Sequence, residues 1–103
     1  MDIKESDWKS FRRLRELALD RYCQRVLDEV RIIVEESGDT NHKRYLALWK
    51  LLQDKDETIA VAFNDPRRSN AVIQLKNILA QGLLTDAEIN QFSEDLRERI
   101  DGV

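Results

Sequence analysis

Residues 6–37 read SDWKSFRRLRELALDRYCQRVLDEVRIIVEES, a run without glycine or proline that ends against Gly38. Ser6 or Asp7 is placed to cap the start of a helix, and Gly38 to follow its end. The helix expected is roughly 30 residues long, about 45 Å at 1.5 Å per residue. At about 100° per residue, Phe11, Ala18, Leu19, Tyr22, Cys23, Val26, Leu27, Val30, Ile33 and Val34 fall within an arc of roughly 180°. Leu14, Leu17 and Ile32 fall outside it. One neighbour cannot cover so broad an apolar surface, so other surfaces are expected to keep water off most sides of this helix.

Charge along the same helix changes sign. From Trp8 to Arg25, six bases (Lys9, Arg12, Arg13, Arg15, Arg21, Arg25) face two acids, Glu16 and Asp20, a net +4. From Val26 to Asp39, five acids (Asp28, Glu29, Glu35, Glu36, Asp39) face one base, Arg31, a net −4. This order opposes the helix dipole, which favours acids at the start and bases at the end, at about 0.3–1 kcal/mol per end charge. An antiparallel copy of the helix would offset that cost by setting each basic half beside an acidic one. The sequence thus offers two readings: an antiparallel homodimer crossing near Tyr22 to Val26, or a monomer with helix one at its centre and its charges in ordinary solvated pairs, each worth under about 1 kcal/mol.

Beyond Gly38, Thr40 supplies the next cap, and Tyr45, Leu46, Leu48, Trp49, Leu51 and Leu52 predict a largely buried second helix from His42 to Gln53. Asp54-Lys55-Asp56-Glu57 is expected to break it before a short third helix bearing Ile59, Ala62 and Phe63, although Ile59, Val61 and Phe63 also alternate as in a strand. Asn64-Asp65-Pro66 is a stop, because a residue before proline is driven out of helical geometry. Ser69 or Asn70 caps a fourth helix with Val72, Leu75, Ile78 and Leu79. Gly82 closes it, and Leu83 is placed to fold back onto its last turn. Thr85 and Glu88 then form a capping box, with Leu84 and Ile89 as its hydrophobic staple. A fifth helix shows the narrow stripe Ile89, Phe92, Leu96, Ile100. Residues 70–100 therefore read as a helical hairpin.

That hairpin is similar to the short C-terminal helical module called SHOCT, through Leu79, Gly82, Leu83-Leu84-Thr85, Glu88, Ile89 and Leu96. The likeness covers about the last thirty residues and implies no catalytic residue. Glycine closure, a capping box and a staple require the same positions in any tight helical hairpin.

Composition sets the class. The 103 residues suffice for a single domain spanning 1–103, and with 42% hydrophobic and 36% charged residues they can fold around one core. Three Gly, one Pro and an abundance of Leu, Ala, Glu, Arg and Lys predict an all-α protein. We expect a compact bundle of four to five helices with a long N-terminal helix. The opening Met1-Asp2-Ile3-Lys4-Glu5-Ser6-Asp7 lacks the apolar segment of a signal peptide, and no apolar run approaches membrane-spanning length. The lone cysteine, Cys23, fits a reducing compartment. A cytoplasmic protein without a membrane segment is expected.

Catalytic and metal chemistry finds little footing. His42 stands beside Lys43 and Arg44 with no nucleophile or orienting carboxylate signalled nearby. One cysteine and one histidine fall short of a zinc site, and the Asp54–Glu57 cluster lacks the glycine and distal glutamate of a calcium loop. No catalytic residue, cofactor or metal is therefore assigned. Two binding classes remain. The first is a small non-enzymatic interaction or adaptor domain, self-pairing or bound to another protein through helix one, with Trp8, Phe11, Arg12, Arg15, Tyr22, Cys23, Val26 and Val30 as its contact residues. The second is a nucleic-acid-associated protein using Arg12, Arg13, Arg15, Arg67 and Arg68. Against it, Asp86–Asp101 carries six acids and two bases, a net −4 that would repel phosphates.

Overall fold

The computed structural model describes residues 3–36 and 38–101. Met1 and Asp2 of the polar opening, with Ser37 and the last two residues, lie outside the described residues. Among the described residues five helices follow in order: α1 (Glu5–Glu36), α2 (Asn41–Phe63), α3 (Ala71–Ala80), α4 (Asp86–Ile89) and α5 (Glu94–Asp101). The all-helical architecture with a long first helix is as the sequence predicts. Among the described residues there is no strand, so Ile59, Val61 and Phe63 belong to a helix.

α1 buries a stripe of Phe11, Leu14, Ala18, Tyr22 and Val26 along its first two-thirds. Leu14, placed by periodicity outside the apolar arc, is in fact buried, because α2 and α3 meet α1 from different sides. Against this stripe pack Ala62 and Phe63 of α2, Ala71, Leu75 and Ile78 of α3, and Leu83, Phe92 and Leu96 from the last segment. The core therefore lies at one end of the molecule. Beyond it, α1 and α2 continue as a two-helix arm. None of the described residues between Leu27 and Val61 is buried. The chain measures 52 × 24 × 24 Å with a radius of gyration of 16.5 Å, against about 13 Å for a typical domain of this length. The expected coverage of helix one on most sides is not met: one stripe as far as Val26 is buried, while Leu17, Leu27, Ile32 and Val34 are exposed.

Two predicted boundaries move. α2 runs 23 residues without interruption, so Asp54–Glu57 does not break it. Interior acids cost a helix about 0.7 kcal/mol each at most, and Lys55 there bonds Glu29 across the hairpin at 3.4 Å. The predicted fifth helix is instead split, with Asn90–Ser93 as a turn between α4 and α5. Ser93 ends the turn, its hydroxyl accepting the Leu96 amide at 3.2 Å while its own amide donates to Asp7 at 2.8 Å. Asp7 thus serves the start of α5, and α1 begins two residues earlier, at Glu5.

Local signals hold elsewhere. Thr40 caps α2 through the Lys43 amide, and Thr85 with Glu88 forms the capping box of α4. Gly82 closes α3 at φ +67°, which brings Leu83 to 1% exposure against the core. Asn70 does stand at the start of α3, but its side chain turns back to accept the Arg67 amide and to donate to the Asp65 carbonyl.

Candidate functional site

Bundle and arm present different chemistry. The basic residues of α1 gather beside the 64–70 turn, where Lys9, Arg12, Arg13, Arg15 and Pro66 line a shallow concavity. Two of these four cations, Arg13 and Arg15, hold partners, as do Arg67 and Arg68 of the turn. Arg15 donates through Nε and Nη2 to the Phe63 carbonyl, closing the end of α2, and pairs with Glu16. Arg13 donates to Gln91. Arg68 pairs with Glu5 at 2.7 Å and lies over the Trp8 ring, while Arg67 pairs with Asp65. Arg21 forms two hydrogen bonds to Glu88, and this with the Thr85 amide holds the Glu88 carboxyl down at about 2 while Arg21 is raised. Arg25 donates to the Gln81 and Gly82 carbonyls at the end of α3. The bases of α1 chiefly tie helix ends together.

The charge reversal of α1 also finds a partner inside the chain. Its acidic end runs beside the basic start of α2, where Lys43 and Arg44 lie, with Arg44 donating to the Val34 carbonyl at 3.4 Å. Lys55 on α2 forms an ion pair with Glu29 on α1. α2 is thus an antiparallel neighbour within the chain, where the dipole argument suggests a copy of helix one.

Of the residues predicted to make external contacts, Phe11, Tyr22 and Val26 are buried in the chain's own core, which leaves no crossing point for a copy there. Trp8 is half-buried and stacks on Phe11 at 5.8 Å between ring centres. Arg12 is exposed, and Arg15 is half-buried in its capping role. Cys23 and Val30 are half-buried at the start of the arm. His42 is exposed at the first turn of α2.

The surface that sequence reasoning missed is on α2. Tyr45 and Trp49, expected in the core, are 65% and 56% exposed, and Leu52 is 46% exposed. Spaced four and three residues apart, they form one stripe that continues through Asp56 to Ile59. Across the hairpin, Leu27 is 58% and Val34 48% exposed. Cys23, Val26 and Leu27 of α1 face Trp49, Leu52, Asp56 and Ile59 of α2 over an open, mainly apolar groove of about 490 Å³. Asp56 within the stripe was the one available signal, since a buried face rarely admits a carboxylate.

No group of three His, Cys, Asp or Glu side chains gathers to hold a metal among the described residues, and no helix among them is long and apolar enough to cross a membrane. Comparison with known protein families, curated proteins and solved structures finds no match to this chain.

Proposed function

We propose that this chain is a small, non-enzymatic protein-interaction domain whose working surface is the apolar face of the α1–α2 arm. The exposure of Leu27, Tyr45, Trp49 and Leu52 on one side of a two-helix projection carries the reading. Isolated exposed leucines are ordinary on a protein surface, whereas a contiguous patch bearing an aromatic pair marks a site that another surface covers. The groove is lined mainly by apolar side chains, with Cys23, Gln53, Lys55 and Asp56 among them, and this largely apolar lining suits packing of a polypeptide. A reducing, cytoplasmic setting agrees with Cys23 as a free thiol.

A benzophenone side chain placed at position 52 tests the reading in the native cell. A discrete polypeptide adduct from position 52, absent when the probe stands at the exposed Arg12, is expected. No adduct from position 52 would overturn it.

A nucleic-acid reading draws its support from the gathering of Lys9, Arg12, Arg13 and Arg15 around one concavity. It requires binding to mixed DNA or RNA at low salt that weakens steeply as salt rises. Retained affinity after Arg12→Glu would remove it.

A further inference from the structure

We infer that the surface which covers the arm is the arm of a second copy of this chain, stacked antiparallel into a four-helix bundle; this rests on the reading of the arm as an interaction surface. Each helix of the arm bears a stripe of exposed and half-buried residues. On α1 the stripe is Cys23, Leu27, Val30, Val34, and on α2 it is Tyr45, Trp49, Leu52, Asp56, before it reaches Ile59, which packs against the chain's own core. Both follow the four-three-four spacing of a coiled-coil seam.

Each stripe is self-complementary when reversed. With antiparallel copies, Leu27 layers on Val30 of the second copy and Cys23 on its Val34. On α2, Trp49 layers on Leu52 of the second copy and Tyr45 on its Asp56. The midpoints of these pairings, between residues 28 and 29 on α1 and between 50 and 51 on α2, stand at nearly the same level of the arm. The hairpin's own register is consistent with this, since Arg44 meets Val34 beyond that level and Lys55 reaches Glu29 close to it. One twofold axis therefore satisfies both stripes at once.

The charges agree. α2 carries Lys43, Arg44 and Lys50 in its first half, a net +3, and Asp54, Asp56 and Glu57 against Lys55 in its second, a net −2. Antiparallel copies set these halves side by side. Asp56, the carboxylate in an otherwise apolar stripe, gains the Tyr45 hydroxyl of the second copy as a donor.

Light scattering and a designed disulfide test this on the full chain. The expected mass is twice 12.1 kDa. Val34→Cys should form an intermolecular disulfide with Cys23 under mild oxidation, and adding Cys23→Ser should abolish it. The unaltered chain should not cross-link, because its two Cys23 residues would stand eleven positions of helix apart, about 16 Å, too far for a disulfide. Trp49→Glu should weaken self-association by about 100-fold or more with helix content unchanged, since Trp49 is exposed within one chain. A monomer at submillimolar concentration overturns the inference, as does a dimer in which Val34→Cys fails to bridge. A monomer that still gives a polypeptide adduct from position 52 overturns self-pairing alone; a monomer without one overturns the interaction surface as well.

Discussion

Asp7 and Ser93, 86 residues apart, are joined by two hydrogen bonds: the Ser93 amide donates to Oδ1 at 2.8 Å and its hydroxyl to Oδ2 at 2.6 Å. Asp7 is 3% exposed, so these bonds form out of water and fasten the last segment to the first turns of α1. Ser93 in turn caps α5. One carboxylate therefore decides where the C-terminal helix starts.

Removing that carboxylate should loosen the C-terminal segment. Asp7→Ala leaves the two half-buried Ser93 donors without their acceptor, and we expect a loss of about 1–3 kcal/mol. Asp7→Asn, which retains one acceptor oxygen, should lose less. The midpoint of urea unfolding, read at constant slope, checks both.

Glu88 predicts an acid limb. Its carboxyl is lowered from 4.5 to about 2 by the Arg21 hydrogen bonds first, and then by the Thr85 amide. The folded chain holds Glu88 ionised where the unfolded chain takes up a proton, so this contribution is full above pH 4.5 and fades as pH falls toward 2. Glu88→Gln should flatten the fall in stability across that window and lower stability at neutral pH. Thermal unfolding of both proteins between neutral pH and the acid limb measures the difference.

Neighbouring residues of α2 should respond very differently to truncation. Phe63 is 1% exposed in the centre of the core, and Phe63→Ala should cost about 3–5 kcal/mol. Val61, two positions earlier, is 64% exposed, and Val61→Ala should change stability by less than about 0.5 kcal/mol. Equal losses by chemical denaturation would contradict the placement of the core at this end of the chain.

Gly82 stands at φ +67° with open space around it, the closest atom to an added Cβ being Arg25 Nη2 at 3.9 Å. Gly82→Ala should therefore cost about 1 kcal/mol, through backbone conformation rather than collision. Gly82→Asn, which tolerates this region better, should recover part of the loss in the same unfolding assay.

Helix identity and several helix ends were legible in the sequence because they depend on groups a few residues apart. Thr40 reaches the Lys43 amide, Thr85 and Glu88 reach each other, and Gly82 turns α3 back through its own φ. None of these needs a distant neighbour. Tertiary structure decided which apolar residues are covered, and so where a partner can bind. Leu14 and Trp49 have similar claims to burial by type; Leu14 lies where α1 meets the other helices, while Trp49 lies on an arm with one neighbour. The break at Ser93 belongs to the same class, because the acceptor that holds it arrives from 86 residues away. Backbone hydrogen bonding in a helix spans four residues and is written locally, whereas burial is set by surfaces that meet only after the chain has folded.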